Sequence, residues 1–432
     1  MKPYAEYTSD EIEATLKKLT EQYRATQRKS LSLNMMRGKP CIEQLDLSMS
    51  MMDVLSSEAD LHCDDGTDCR NYGVLGGIRE AKELLGAMIE VPADNIMIYG
   101  NSSLNVMYDS IARSMTHGVM GSTPWCKLDR VKSLCPVPGY DRHFAITEYF
   151  GIEMINVPMN DDGPNMDTVE ALVSSDTAIK GIWCVPKYSN PTGITYSPET
   201  VRRFAHLKPA ARDFRIYWDN AYSVHHLYDN RQGYLNEILA ECKKAGNPDL
   251  VYKFTSTSKI TFPGSGLAAI ATSLNNLEDI RRQMSIQTIG HDKVNQLRHV
   301  RFFRDGYSIT EHMRKHAAIL RPKFELVENT FEKELGDLQI CSWTCPLGGY
   351  FISFDSLPGC AARIVERCKK AGLELTPAGA TFPYGRDPND SNIRIAPSFP
   401  SMEELTMALD VMVLSVKIES LLKIKRDRAQ GA

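Results

Sequence analysis

The sequence predicts an α/β fold: a large domain on a mostly parallel sheet, with a smaller α+β domain beside it. Three observations carry this. From about residue 76, short runs rich in apolar and β-branched residues alternate with helix-length spacers, as βαβ units require. After about residue 275 the pattern becomes a long helical tract, then strands around a Gly-Gly turn. The 432 residues suffice for about two to four domains of ordinary size.

In order, residues 9–29 read as an amphipathic helix. Ser9 and Asp10 offer caps, and Ile12, Leu16, Leu19 and Tyr23 fall at helical spacing. Residues 31–50 read as irregular, broken by Gly38 and Pro40. A helix over 76–90 leads to a strand at 95–99 and a helix at 102–116. Strands follow at 131–137, ended by Pro138-Gly139, and at 153–157. Asp167 is expected to cap a helix through Val173. A strongly apolar strand spans 179–185, then a helix 198–207 and strands at 215–218, 250–255 and 268–272. The helical tract runs 276–335, with strands over 343–354 around Gly348-Gly349. A helix at 359–371, a strand at 391–396 and a helix at 401–424 complete the chain. The expected division is 1–55 as part of the small domain, 56–315 as the large domain, and 316–432 as the rest of the small one.

Composition excludes several classes. Fifty basic against 54 acidic residues give −4, with no global attraction to nucleic acid or an anionic membrane. No run approaches about 18 apolar residues, and the N-terminus lacks an apolar signal region. Eleven cysteines contain no Cys-x-x-Cys pair, which favours reduced thiols in a cytoplasmic protein over zinc or disulfides. Cys63 and Cys69, or Cys341 and Cys345, could lie close by coincidence. His312 and His316, four apart, lack the glutamate of a zinc-protease motif, so no metal is expected. The nineteen methionines read as core filler.

The informative residues fall at the expected C-terminal ends of strands, where open parallel sheets bind ligands. Thr255-Ser256-Thr257-Ser258-Lys259 places a lysine among small hydroxyls; a lysine amine of lowered pKa can form a Schiff base. Asp219 ends a strand beside Tyr222, and a carboxylate can keep a pyridine nitrogen protonated. Ser189-Asn190-Pro191-Thr192-Gly193 is a turn whose Asn amide could donate to a ring oxygen. Gly100-Asn101-Ser102-Ser103 opens a helix, a setting suited to phosphate. Taken singly, the ordinary readings prevail: an exposed loop lysine, a capping Asp, a plain turn and an ordinary N-cap.

Their joint order, with Pro138-Gly139-Tyr140 and Ile393-Arg394-Ile395, resembles the fold-type-I pyridoxal-phosphate aminotransferases of class I/II. Arg37-Gly38-Lys39-Pro40 and Asp292 to His299 look like the aspartate aminotransferase subgroup related to the catalytic domain of MocR-type regulators. The resemblance covers about residues 30–425. It implies pyridoxal 5′-phosphate as cofactor, bound covalently by Lys259, whose freed amine then moves the proton. It implies Asp219 on the ring nitrogen, Asn190 and Tyr222 on the ring oxygen, and Tyr140 stacked on the ring. Asn101, Ser102, Ser103 and Ser256 would form the phosphate cup. Tyr72 would reach the phosphate of a neighbouring subunit, which implies a homodimer with shared sites. Arg394 would clamp the substrate α-carboxylate, with Asn190 nearby and the Gly38 backbone close to substrate.

Two features depart from the pattern. The phosphate-binding arginine that many relatives carry after the lysine is absent, leaving hydroxyls, helix N–H groups and Arg70 across the dimer as replacements. The cation that reads the substrate side chain is not placed by any motif; Arg37, Lys39 and Arg298 are candidates. The expected reaction is ping-pong transfer from an amino acid, aspartate by preference, to 2-oxoglutarate. Rivals are a C–S lyase or decarboxylase on the same cofactor, or an aminotransferase for alanine or aromatic amino acids. A DNA-binding regulator would need a winged-helix module, and only about thirty residues precede Arg37.

Overall fold

The computed structural model describes residues 2–304 and 308–430. Helix α1 (Ser9–Gln27) buries Ile12, Leu16, Leu19 and Tyr23, the stripe its spacing predicts. Its cap is Thr8, one residue earlier than expected. The Glu11 N–H donates to the Thr8 hydroxyl at 3.2 Å, and the Thr8 N–H donates to the Glu11 carboxylate at 2.7 Å. The stretch read as irregular contains β1 (Leu33–Asn34) and α2 (Ile42–Asp46).

The central region then runs α3 (Arg79–Ile89), β2 (Ile96–Ile98), α4 (Ser103–His117), β3 (Lys132–Val137), α5 (Asp141–Tyr149), β4 (Glu153–Asn160) and β5 (Gly163–Pro164). It continues with α6 (Met166–Ser175), β6 (Ile179–Cys184), α7 (Pro198–Ala205), β7 (Arg215–Asp219), α8 (Ile238–Lys244), β8 (Val251–Ser256) and β9 (Ala268–Ala271). These strands form one sheet in the order β2-β9-β8-β7-β6-β3-β4-β5. Strands β8, β7, β6, β3 and β4 run parallel. Strand β9 is antiparallel to both its neighbours, so β2 points the same way as β8. The reversal follows from the connection, since a loop without a crossover helix joins β8 to β9. Successive residues of β6 face opposite sides: Trp183 joins one apolar cluster, Ile182 and Cys184 another.

Helices α5 and α8 were not expected. Helix α6 is capped by Asn165, whose side-chain oxygen accepts from the Thr168 N–H at 2.9 Å, and not by Asp167, which lies in the first turn. The tract read as one helical region is three helices, α9 (Leu274–Gln287), α10 (Lys293–Arg304) and α11 (Ile309–Leu335); its portion at 305–307 lies outside the described residues.

The remaining elements are β10 (Cys341–Trp343), β11 (Ile352–Ser356), α12 (Ala361–Lys370), β12 (Leu373–Glu374), β13 (Asn392–Ile395) and α13 (Met402–Gln430). They form a small sheet, β10-β11-β13, and the pair β1-β12. The parallel pairing with β12 explains β1, a two-residue strand held by a partner near the other end of the chain. One core joins Leu16 and Leu19 of α1 to Phe324 and Phe331 of α11, Phe354 of β11 and Leu409 of α13. Among the described residues no helix is long and apolar enough to cross a membrane.

Candidate active site

The ends of β2, β3, β6, β7 and β8 converge on one edge of the large sheet. A cavity of about 420 Å³ opens there, and Gly38, Tyr140, Asn190, Tyr222, Lys259 and Arg394 all line it. Lys259 follows β8, and its amine lies 5.0 Å from the centre of the Tyr222 ring. Burial pushes that amine's pKa down; the Asp219 charge opposes the fall and Arg394 adds to it.

Asp219, the last residue of β7, is buried beneath the cavity. One of its oxygens lies 3.1 Å from His143 Nε2; the other is buried with no partner. A buried carboxylate oxygen left open is costly unless something donates to it. His143 stacks on Trp183, with ring centres 4.4 Å apart and planes within 11°. Trp183 in turn donates to the Thr147 hydroxyl at 2.8 Å. Burial, with Tyr140 and Asp219 adding to it, raises the Tyr222 phenol well above its ordinary range, so the phenol keeps its proton.

Arg394, on β13, donates through Nη1 to Asp141 at 2.7 Å and to the Asn190 side-chain oxygen at 3.3 Å. Its Nε is buried without a partner, and its guanidinium carbon lies 4.9 Å from the Phe351 ring centre. The same ring explains Gly38: a Cβ there would fall 2.5 Å from Phe351 Cζ.

The expected phosphate cup lies outside the cavity lining but holds together. Ser102 caps α4 without using its hydroxyl, leaving hydroxyl and helix N–H groups open, and Ser103 begins the helix. Ser256 donates to the Ser258 hydroxyl at 3.1 Å, and Ser258 donates to the Asn101 carbonyl at 3.3 Å. Of the cations considered for the substrate side chain, Arg37 and Lys39 line the cavity. The Lys39 amine rests 3.7 Å above the Phe399 ring. Arg298 does not line it; its guanidinium donates to Ser265 and Asn295. Tyr72 is 84% exposed, away from the cavity of its own chain.

Arg70 is exposed and doubly bonded to Asp68, at 2.9 and 2.7 Å. An exposed pair is weak enough to exchange for a phosphate, so Arg70→Ala is expected to weaken cofactor binding if Arg70 serves the phosphate across a dimer; an unchanged affinity drops that role. Titrating the apo protein with pyridoxal phosphate checks this.

Sequence reasoning missed Asp141, Arg142 and His143. All three open α5 directly behind Tyr140, and Asp141 and Arg142 line the cavity. The signal was available: three chemistry-bearing residues immediately past a strand end and a Pro-Gly turn. The cysteines described are all free. Cys63 and Cys69 approach to 3.3 Å between sulfurs, and burial raises both thiols, consistent with inert structural residues. Among the described residues no cluster of three or more His, Cys, Asp or Glu could hold a metal ion.

A carboxylate, a lysine and an arginine are gathered at the end of such a sheet; comparison with known proteins identifies the family. Residues 7–428 match the aspartate amino-transferase family, and the chain belongs to it. It is 46% identical over 383 residues to the aspartate aminotransferase of Corynebacterium glutamicum, covering 88% of each chain. It superimposes on the crystal structure of an aspartate transaminase from that organism with a TM-score of 0.94, at 42% identity, covering 98% of this chain and 99% of the other. The α-aminoadipate aminotransferase of Thermus thermophilus, complexed with N-(5′-phosphopyridoxyl)-L-leucine, shares the fold: TM-score 0.71, 19% identity, coverage 92% and 95%. The protein is thus a fold-type-I aminotransferase, an enzyme acting on amino and oxo acids.

Proposed function

We propose that this enzyme transfers the amino group of aspartate to 2-oxoglutarate, with Lys259 as its catalytic lysine and pyridoxal phosphate as its cofactor. One observation carries the reading. The cavity that receives the Lys259 amine and Arg394 is rimmed by two further arginines, Arg37 and Arg142, neither within 4 Å of a carboxylate among the described residues. A dicarboxylic substrate brings two negative charges, and this cavity offers a cation for each. The name of the Corynebacterium relative points the same way.

The residues fit the cofactor. The open Asp219 oxygen suits a protonated ring nitrogen, and the start of α4 suits a phosphate. When bound, the cofactor supplies a ring that accepts electrons from the substrate carbon. The protein supplies the rest. Asp219, steadied by His143, would hold positive charge at the ring nitrogen. Asn190 and Tyr222 would donate toward the ring oxygen, and Tyr140 would stack on the ring. Arg394 holds the α-carboxylate, which orients the reacting C–H bond. The Lys259 amine, kept readily neutral by burial, takes that proton and returns it.

Arg142→Ala and Arg37→Ala are expected to raise the KM for aspartate about tenfold or more, the loss of a charge-assisted pair. Turnover of alanine should be little changed. Steady-state kinetics with both donors checks this.

Tyr72, exposed on its own chain, supports a homodimer in which it reaches the partner's site. The free thiols suit a reducing cytoplasm. Residues 56–315 are read as the large domain and 1–55 with 316–432 as the small one, α11 running across the boundary. The decisive experiment is a half-reaction panel. The pyridoxal enzyme is mixed with single amino acids and the loss of visible absorbance is followed. Fast responses to aspartate and glutamate alone support the proposal. Preference for alanine or aromatic amino acids, or pyruvate and ammonia without an acceptor, would overturn it.

A further inference from the structure

Behind the cavity, the backbone that carries Lys259 is gripped by a closed ring of buried polar groups. His312 Nε2 lies 2.8 Å from the Ile260 carbonyl and 3.1 Å from His316 Nε2. With Gln44 donating to His316 Nδ1, the neutral His316 carries its proton on Nε2 and directs it to His312 Nε2 and the Ile260 carbonyl. His316 Nδ1 meets the Gln44 amide nitrogen at 2.9 Å, and that nitrogen donates to the Tyr350 hydroxyl, also at 2.9 Å. The Tyr350 hydroxyl lies 3.5 Å from the Lys259 carbonyl and closes the ring; from outside it, buried His225 donates through Nε2 to the same carbonyl at 3.3 Å, and burial lowers its pKa. Every side chain that closes it is buried.

The members come from α2, from α11 and from the connection between β10 and β11, three segments far apart in the chain. They meet on two successive carbonyls, those of Lys259 and Ile260, in the stretch that carries the catalytic lysine. Tyr350 also shapes the front of the site. Its ring centre lies 5.9 Å from the Lys259 amine and 6.0 Å from the Tyr222 ring. The ring remains uncharged. Burial, with His312 adding to it, pushes His316 down to about 3, and burial lowers His312 too. A neutral imidazole can hold the Ile260 carbonyl without setting a further cation beside the amine. A fully connected buried network stiffens what it holds.

We propose that the ring through Gln44, His312, His316 and Tyr350 is the positioning device of Lys259, fixing where its amine lies relative to the substrate carbon. His316 and Gln44 touch neither the amine nor the cavity; they act through the backbone of residues 259 and 260. This rests on the assignment of Lys259 above.

His316→Phe keeps the bulk and removes both ring contacts. In the holoenzyme it is expected to lower kcat about 100-fold, as for a reacting group displaced by about 1 Å. The KM for aspartate and the affinity of the apo protein for pyridoxal phosphate should stay within about threefold, the signature of lost positioning. The pH midpoint of the visible absorbance should also shift, because the amine's surroundings change. His316→Gln, which can still hydrogen-bond, should restore most of both. Gln44→Leu should add little to His316→Phe, since one ring is broken either way. An unmoved kcat, an unmoved midpoint, or a kcat loss that follows cofactor affinity and thermal stability overturns the proposal. Borohydride trapping on the parent separates the two readings: a tag away from Lys259 sinks its assignment as well, whereas a tag on Lys259 with unmoved readouts sinks the ring alone.

Discussion

Lys259→Ala is expected to slow amino transfer by about 10⁴-fold or more, the upper range of what a positioned proton carrier contributes. The side chain is the lysine of the cavity that faces both Tyr222 and Tyr350, and its truncation leaves both covalent attachment and proton movement without a group. Three other lysines, Lys82, Lys187 and Lys253, also have pKa values lowered by burial, which makes the test selective. Lys187 is pushed down to about 8 by burial, but it lies in a different pocket, with Glu90 and His226. Lys253 is buried, and its amine donates to Glu237 and to the Ile89 carbonyl, both at 2.8 Å. Borohydride reduction followed by peptide mapping should tag the Lys259 peptide in the parent and no peptide in the variant. A tag on Lys82, Lys187 or Lys253 would refute the assignment.

Asp219→Ala is the second large effect. It removes the buried anion proposed to face the ring nitrogen and leaves His143 buried with an empty partner position. A loss of about 10²–10³-fold in kcat is expected, comparable to removing a preorganised electrostatic contact. A second readout has a definite sign. The Asp219 charge raises the pKa of the Lys259 amine against the effect of burial, so its removal lowers that pKa further. Alkylation of the amine in the apo protein, followed against pH, should show its midpoint displaced toward acid. Asp219→Asn keeps the shape and loses the charge. If it retained full kcat, the electrostatic account would fail.

The sequence made the scaffold legible where periodicity and strand-end chemistry coincide. The apolar β6, the stripe of α1, and Asp219 and Lys259 at successive strand ends were all readable, because each rests on neighbours a few positions away. Helix α5 was not, since its few buried side chains, His143 and Thr147 among them, give little apolar rhythm. The pairing of His143 with Asp219 was hidden with it. Strand β1 depends on a partner near the far end of the chain, and no local propensity announces it. The Gln44 and His316 contact spans most of the sequence. Read alone, His312 and His316 were two imidazoles on one helix face, and only tertiary packing shows what they hold. Arg298 looked as plausible as Arg37 for the substrate side chain until the fold turned it toward Ser265.

The Asp141–Arg394 pair has a consequence for ligand selection. The guanidinium proposed to hold the α-carboxylate is already partly neutralised from within, by Asp141 at 2.7 Å. An incoming anion must therefore compete with a tethered one whose local concentration never falls. Simple monoacids from the metabolite pool gain little by that exchange. Under the proposed reading, a molecule with a second acidic end that pairs with Arg37 and Arg142 gains what it needs to displace Asp141, and the entrance discriminates before chemistry begins.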